Sequence, residues 1–106
     1  MTHELKTDSP VFQATKTGLK TYEIRRNDRN FQVGDDLFLR ETIYTGEEMN
    51  PRYKGGIPGT STPPGKPLSF TGETLLVSVL HILVGPIYGL SDGWCIMAIE
   101  PKQQVV

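Results

Sequence analysis

The amino-acid sequence predicts a mainly β domain of the α+β class, with one or two short helices and a long flexible insertion. Three observations support this fold class. Several segments are rich in β-branched, aromatic and leucine residues, a Ser-Pro pair marks a helix start, and Gly and Pro cluster in the middle of the chain. A length of 106 residues suits one domain, and we expect a single domain over residues 1–106.

The predicted elements begin with a weak strand and a short helix. Ser9 can cap free amide groups and Pro10 fits the first helical turn, so a helix of two to three turns is expected to start there and to stop at Gly18. The spacing of Val11, Ala14 and Gly18, with Phe12 beside them, predicts the side of this helix that packs on the core.

Four segments have the composition of β-strands, in addition to the weak one near the amino terminus. In the first of them Tyr22 and Ile24 alternate with Glu23 and Arg25, which predicts an inward apolar pair and an outward charged pair. The predicted strand Glu73–Leu83 has apolar side chains at both odd and even positions, so both of its faces are apolar. This is expected of a central strand or of one that bends around a barrel. The predicted strands are Glu4–Thr7 (weak), Leu19–Arg25, Asp36–Ile43, Glu73–Leu83 and Trp94–Glu100.

The segment from Thr45 to Gly72 differs from the rest of the chain in composition. It holds 11 of the 19 Gly and Pro residues in 28 positions, so little apolar surface is available to offset the entropy of ordering it. We therefore predict a flexible loop at 45–72 without a packed element. Long loops are often functional, and docking of this loop on a partner protein is one open function.

Charge and cysteine content limit the classes of protein that the chain can belong to. Eleven basic and twelve acidic side chains give a net charge of -1, so any nucleic-acid site must be a local patch. The lone Cys95 excludes an internal disulfide, and the longest apolar run, Leu75–Val84, is too short to cross a membrane. The amino terminus lacks the apolar core of a signal peptide. We expect a cytoplasmic protein without a membrane partner, and a monomer is favoured.

The most informative part of the sequence is a run of six ionisable residues within ten positions. A run of this kind is often a solvated strand and turn. Here, however, Glu23 and Arg25 share a strand face, and Lys20 lies beside a helix-to-strand turn, where functional groups tend to cluster. The six residues are Lys20, Glu23, Arg25, Arg26, Asp28 and Arg29.

At these residues the sequence resembles a known family. The stretch Gly18-Leu19-Lys20-Thr21-Tyr22-Glu23-Ile24-Arg25 matches the G-x-K-x-x-E-x-R signature of ASCH domains, which are small β-barrels similar to the PUA RNA-binding fold. The wider chain resembles an ASCH-related family of small uncharacterised bacterial and phage proteins. That likeness rests on His3-Glu4-Leu5-Lys6, Arg25-Arg26-Asn27-Asp28-Arg29, Val33-Gly34-Asp35, Tyr88-Gly89-Leu90 and Gly93-Trp94, and it leaves out only 45–72.

The resemblance implies a PUA-like, ASCH-type β-barrel that binds RNA or a nucleotide in a cleft. Lys20 and Arg25 are suited to phosphate, while Glu23 can accept hydrogen bonds from a base or hold the two cations in place. Asn27 and Asp28 are expected at the edge of the cleft. The full set of expected nucleic-acid-binding residues is His3, Lys6, Lys20, Glu23, Arg25, Arg26, Asn27, Asp28 and Arg29.

Two further points concern chemistry. Some ASCH proteins hydrolyse acylated cytidine or cut RNA, so an enzyme with Lys20 and Glu23 as catalytic residues is an alternative, although the hydrolases carry a threonine in place of Glu23. No metal or other cofactor is expected, because His3, His81 and Cys95 lack the spacing of a metal site. We expect His81 in the core or at the barrel end. Tyr22, Tyr53, Tyr88 and Trp94 are candidates for stacking on bases.

Overall fold

The computed structural model describes residues 1–43 and 69–102, which form five β-strands and one α-helix. All five strands belong to one sheet in the order β1-β3-β4-β5-β2. The strand β1 pairs with β3 in parallel, and the other neighbours are antiparallel. The elements are β1 (Thr2–Thr7), α1 (Ser9–Lys16), β2 (Tyr22–Arg26), β3 (Asp36–Thr42), β4 (Phe70–Val84) and β5 (Trp94–Pro101).

The sheet is a strongly curled half-barrel, and the prediction of a mainly β fold with a short helix is confirmed. The central strand, β4, is 15 residues long, and the register of its pairing with β5 shifts between Val79 and His81. Such an irregularity bends a strand and increases its twist. The strands β1 and β2 form the two edges of the curled sheet.

The inner face of the half-barrel carries the hydrophobic core. Alternate residues of β1, β3, β4 and β5 face it, as the two-residue period of a strand requires. Phe12 from the helix and Phe31 from the β2–β3 connection complete the packing. The buried hydrophobic residues are Leu5, Phe12, Phe31, Leu37, Leu39, Val77, Val79, Cys95, Met97 and Ile99.

The helix forms where the sequence predicts it, but its cap and its buried face differ from the prediction. Asp8, not Ser9, is the N-cap, and its Oδ1 accepts a hydrogen bond of 2.9 Å from the Val11 N–H. Asp8 stands one residue earlier and reaches the free amide group in the usual capping geometry. The fully buried positions are Phe12 and Thr15, because the large aromatic ring determines which face docks.

The predicted orientation of β2 is wrong. Glu23 is buried, with 2% of its surface exposed, whereas Tyr22 and Ile24 are 43% and 47% exposed. The register explains the reversal, since Glu23 and Arg25 lie opposite Met97 and Cys95, two core residues of β5. The rule that apolar side chains face inward fails here because cationic neighbours neutralise the Glu23 carboxylate.

Several boundaries also differ from the prediction. The strand β4 begins at Phe70, so three residues of the predicted loop 45–72 belong to the sheet, where Phe70 pairs with Thr42. Most of that loop lies outside the described residues. His81, predicted in the core or at the barrel end, is exposed, because the β4 irregularity places it opposite Ala98 on the outer face. Within 1–43 and 69–102, no helix is both long and apolar enough to cross a membrane.

Candidate functional site

The central feature of the candidate site is a cluster of Lys20, Glu23 and Arg25, which we call the triad. Lys20 Nζ lies 2.8 Å from Glu23 Oε1, and Arg25 Nε lies 2.9 Å from Glu23 Oε2. The two oxygens of one buried carboxylate therefore each bind a different cation. The Lys20 side chain is 13% exposed and that of Arg25 is 25% exposed, so solvent reaches both cations but hardly reaches the carboxylate.

Local structure positions the triad at the junction between the helix and β2. Gly18 has a positive φ of 83°, which ends the helix, and the Lys20 N–H donates to the Ala14 carbonyl. The Ile99 N–H donates to the Thr21 carbonyl and so begins the pairing of β2 with β5. Lys20 Nζ also donates to the Tyr22 carbonyl and lies 4.8 Å from the centre of the Tyr22 ring.

Two arginines link the edge strands across the open side of the half-barrel, a line of contact that we call the seam. Arg25 Nη2 donates to the Lys6 carbonyl at 3.1 Å and to Thr7 Oγ1 at 3.2 Å. Arg29 Nη1 donates to the Glu4 carbonyl at 2.6 Å. Glu4 and Lys6 are two residues apart, so both carbonyls belong to the same edge of β1. Side chains of the β2 region thus occupy acceptors that a further strand would otherwise use.

The triad keeps unused hydrogen-bond donors and an excess positive charge. One carboxylate and two cations sum to +1. Two of the three Lys20 ammonium donors have partners, and Arg25 Nη1 has none within the part of the chain that the structure describes. A partly exposed site with unused N–H groups and net positive charge is suited to an anion.

Three of the other predicted site residues lie near the far end of β2. Arg26 is on the outer face, with its guanidinium carbon 5.6 Å from the centre of the Trp94 ring. The Asn27 N–H donates to the Gly93 carbonyl, and its buried Oδ1 has no partner among the described residues. Asp28 is exposed. Burial and, second, the negative charge of Asp28 raise the pKa of the Cys95 thiol.

The structure does not bring His3 to the triad. His3 Nε2 donates to Asp35 Oδ2 at 2.8 Å, and the His3 ring packs edge-on against Phe31. His3 and Thr7 are four positions apart, or about 13 Å along the strand, so His3 lies toward the opposite end of β1 from the Arg25 contact with Thr7. The hydrogen bond from His3 lowers the pKa of Asp35, and this buried pair anchors the turn before β3.

The Lys6 side chain also lies apart from the triad, although its carbonyl contacts Arg25. The alternation of β1 places Lys6 on the outer face, opposite in orientation to Leu5 and Thr7. There it lines a shallow depression of about 270 Å³ together with Glu4, Arg40 and Phe70. In the described residues, no three His, Cys, Asp or Glu side chains form a group that could hold a metal ion.

Another buried carboxylate, that of Glu41, was not predicted from the sequence. Its Oε2 accepts from Ser9 Oγ at 2.8 Å and from Gln13 Nε2 at 2.9 Å, and its Oε1 accepts from Thr71 Oγ1 at 2.7 Å. Glu41 thus connects the helix to β3 and β4. One feature of the sequence indicates this burial: Leu37, Leu39 and Glu41 are spaced two residues apart, so they share one face of a predicted strand.

Neutral donors determine the ionisation of Glu41. Burial raises the pKa of Glu41, but hydrogen bonds from Gln13, Thr71 and Ser9 outweigh this effect and leave the pKa below its usual range. Thr7, a hydrogen-bond acceptor of Arg25, is the β1 partner of Glu41 in the sheet register. Polar groups therefore continue along the inner face from the triad to Glu41.

We predict that Arg25→Lys destabilises the protein, because lysine cannot donate to Glu23, the Lys6 carbonyl and Thr7 with one planar group. The expected loss in the free energy of unfolding is about 1 to 3 kcal/mol. Urea unfolding followed by the fluorescence of Trp94 measures it. Lys16→Arg is the control, since Lys16 pairs with the exposed Glu73, and it should cost less than about 0.5 kcal/mol. Equal effects of the two changes would contradict the role of Arg25 at the seam.

We also predict that acid weakens the fold partly through Glu41. Because the pKa of Glu41 is lowered in the folded protein, its carboxylate adds stability above the unfolded pKa, and this contribution is lost as pH falls through the folded pKa. Urea unfolding of the wild type and of Glu41→Gln, from about pH 7 down to about pH 3, tests this. The free energy of unfolding of Glu41→Gln should decline less steeply. Parallel curves would show that Glu41 does not contribute to the acid sensitivity.

Comparison with known proteins provides a family for the chain. A family model described as "Domain of unknown function (DUF3850)" matches residues 2–99. An "Uncharacterized 12.9 kDa protein in GpA 3'region" of Escherichia phage P2 is 36% identical over 53 residues. This match covers 47% of the present chain and 49% of the phage protein, so it spans about half the length of that relative.

Proposed function

We propose that this chain, which belongs to the DUF3850 family, binds RNA or a nucleotide through the triad of Lys20, Glu23 and Arg25. The phosphate is the group that the triad contacts, with Lys20 as a point charge and Arg25 through its unused Nη1. Glu23 binds neither phosphate nor base in this proposal. It holds the two cations in place and remains beneath them.

One observation carries this proposal: a single buried carboxylate orients two partly exposed cations that keep unused N–H donors. A surface lysine or arginine loses side-chain entropy when it binds a ligand. Here the 2.8 Å and 2.9 Å contacts to Glu23 already restrict both side chains in the free protein. A site organised in advance binds its ligand with a smaller entropic cost. The net charge of +1 also offsets part of the charge of a phosphate.

We further propose that the half-barrel is a PUA-like domain of the ASCH type. Supporting features are the mainly β curled sheet, the short helix α1 and the position of the G-x-K-x-x-E-x-R residues at the helix-to-strand junction. The match of all four signature residues is a sequence resemblance. In this interpretation the cleft lies along the seam, where Arg25 and Arg29 approach β1.

We predict that Lys20→Ala weakens binding of nucleoside monophosphates, because it removes one charge-assisted hydrogen bond and reduces the triad to zero net charge. The expected loss is about 1 to 3 kcal/mol in binding free energy. Isothermal titration calorimetry with the four ribonucleoside monophosphates measures it at low salt, where phosphate contacts are strongest.

The matched control is Lys16→Ala, which removes the same charge from an exposed position. Lys16 pairs with Glu73 on the helix surface, and both side chains are nearly half exposed. Lys16→Ala should leave the affinity within about twofold of the wild type, as expected for an exposed surface pair. If the two variants lose affinity equally, net charge rather than the triad governs binding. A wild type that binds neither the four nucleotides nor a short single-stranded RNA rejects the proposal.

A second candidate function is hydrolysis of a modified nucleoside or of RNA by the same residues. The observation in its favour is the 2.8 Å contact between Lys20 Nζ and Glu23 Oε1, which is short enough for proton transfer between a base and an acid. The continuation of the polar inner face to Glu41 adds a second buried carboxylate. The hydrolases of the resembled family have a threonine at the position where this chain has Glu23.

Glu23→Gln separates this enzyme from a simple binder, because an amide keeps the shape of the side chain but does not exchange a proton. We expect that acylated cytidine and a short RNA are bound by the wild type without release of product. Chromatography of each mixture measures turnover, and thermal melting shows whether Glu23→Gln is folded. If the wild type releases product and a folded Glu23→Gln variant does not, the protein is a hydrolase rather than a simple binder.

A further inference from the structure

The turn between β4 and β5 presents an aromatic side chain without partners in the described part of the molecule. Tyr88 is 91% exposed, and its φ of 48° lies in the left-handed region that residues other than glycine seldom adopt. Gly89 follows with a φ of 83°. This strained backbone conformation costs of order 1 kcal/mol or more. Because the Tyr88 ring is exposed, its packing does not offset that cost.

The turn is held firmly although its tip is exposed. Ile87 and Leu90 exchange backbone hydrogen bonds of 3.1 and 2.7 Å. At the base of the connection the Gly85 N–H donates to the Trp94 carbonyl, and a Cβ on Gly85 would lie 2.2 Å from the Ser91 carbonyl oxygen. The close approach of these backbone segments fixes the direction in which the tip projects. The backbone that carries Tyr88 is therefore held in place before any ligand binds.

The same end of the sheet carries Arg26 at the end of β2 and Trp94 at the start of β5. The Asn27 N–H donates to the Gly93 carbonyl, so the β4–β5 connection and the end of β2 are joined. Arg26 lies over Trp94, and Arg29 lies at the seam. Residues 85–93 include Asp92 and no cation, which favours contact of the tip with an uncharged base over contact with a phosphate.

We propose that Tyr88 is a stacking platform for a base of single-stranded RNA whose phosphate lies at the triad. This inference rests on the proposed function and narrows it from a nucleotide to a chain of several nucleotides. The distance along β2 from Glu23 to Arg26 is about 10 Å, and the β4–β5 turn projects beyond Arg26. A single nucleotide held at Lys20 is too short to span this separation, so the proposal requires a strand of several nucleotides that runs from the triad toward the end of β2.

Stacking on an aromatic ring tolerates any base, and removal of the ring typically costs about 5- to 150-fold in affinity. The experiment uses the full chain, a fluorescent RNA of mixed sequence about eight nucleotides long, and cytidine monophosphate as the short probe. Tyr88→Leu keeps an apolar side chain without a flat ring, and Tyr88→Phe keeps the ring. We expect a loss in this range for Tyr88→Leu with the RNA, a loss below about twofold for Tyr88→Phe, and no change in either variant with the mononucleotide.

A third variant makes the test independent of folding defects. Tyr88→Gly relieves the left-handed strain, so it should melt at an equal or higher temperature than the wild type while binding the RNA as weakly as Tyr88→Leu. If the wild type binds the RNA and none of the three variants changes the affinity, the stacking-platform proposal is overturned. The triad proposal then remains intact. Equal affinity for the RNA and the mononucleotide would also overturn the stacking-platform proposal. Absence of binding by the wild type to both probes rejects the triad and the platform together.

Discussion

The Glu23 carboxylate is the group on which the candidate site and the closure of the half-barrel both depend. It is buried opposite Met97 and has two cations as partners, Lys20 from the helix-to-strand junction and Arg25 from β2 itself. A buried carboxylate without such partners would be strongly destabilising. Arg25 in turn donates to β1 and connects the two edges of the sheet. One ionic cluster thus orients the functional groups and joins strands that share no backbone ladder.

The seam also explains how the fold treats its open edges. Exposed edge strands present unpaired carbonyl groups and invite pairing with other chains. In this protein guanidinium groups of Arg25 and Arg29 occupy the Glu4 and Lys6 carbonyls of β1. Breaking such an arginine hydrogen bond costs less free energy than breaking a ladder of backbone hydrogen bonds, because only a side chain has to rotate. The seam can therefore open without loss of a backbone ladder while the core stays packed.

Polar groups hold the helix in place as much as apolar packing does. Phe12 is the large side chain that α1 contributes to the core of the described residues, while Ser9 and Gln13 both donate to Glu41 on β3. Hydrogen bonds of this kind are directional, so they determine the rotation of the helix on the sheet. Lys20 follows the helix by a few residues, and its backbone N–H donates to the Ala14 carbonyl of the helix.

The sequence alone determined the mainly β class, the approximate position of each element and the group of residues that forms the triad. Local signals carry that information: β-branched runs, a Pro in the first turn of a helix, and charges clustered beside a turn. The sequence did not determine which face of β2 packs on the core. Alternation divides the strand into two faces, and the more hydrophobic face, with Tyr22 and Ile24, is the exposed one. Only pairing with β5, together with Lys20 from outside the strand and Arg25 from within it, makes burial of Glu23 favourable. Glu41 and the separation of His3 and Lys6 from the triad likewise depend on contacts between residues far apart in the chain, and such contacts exist only once the tertiary structure brings them together.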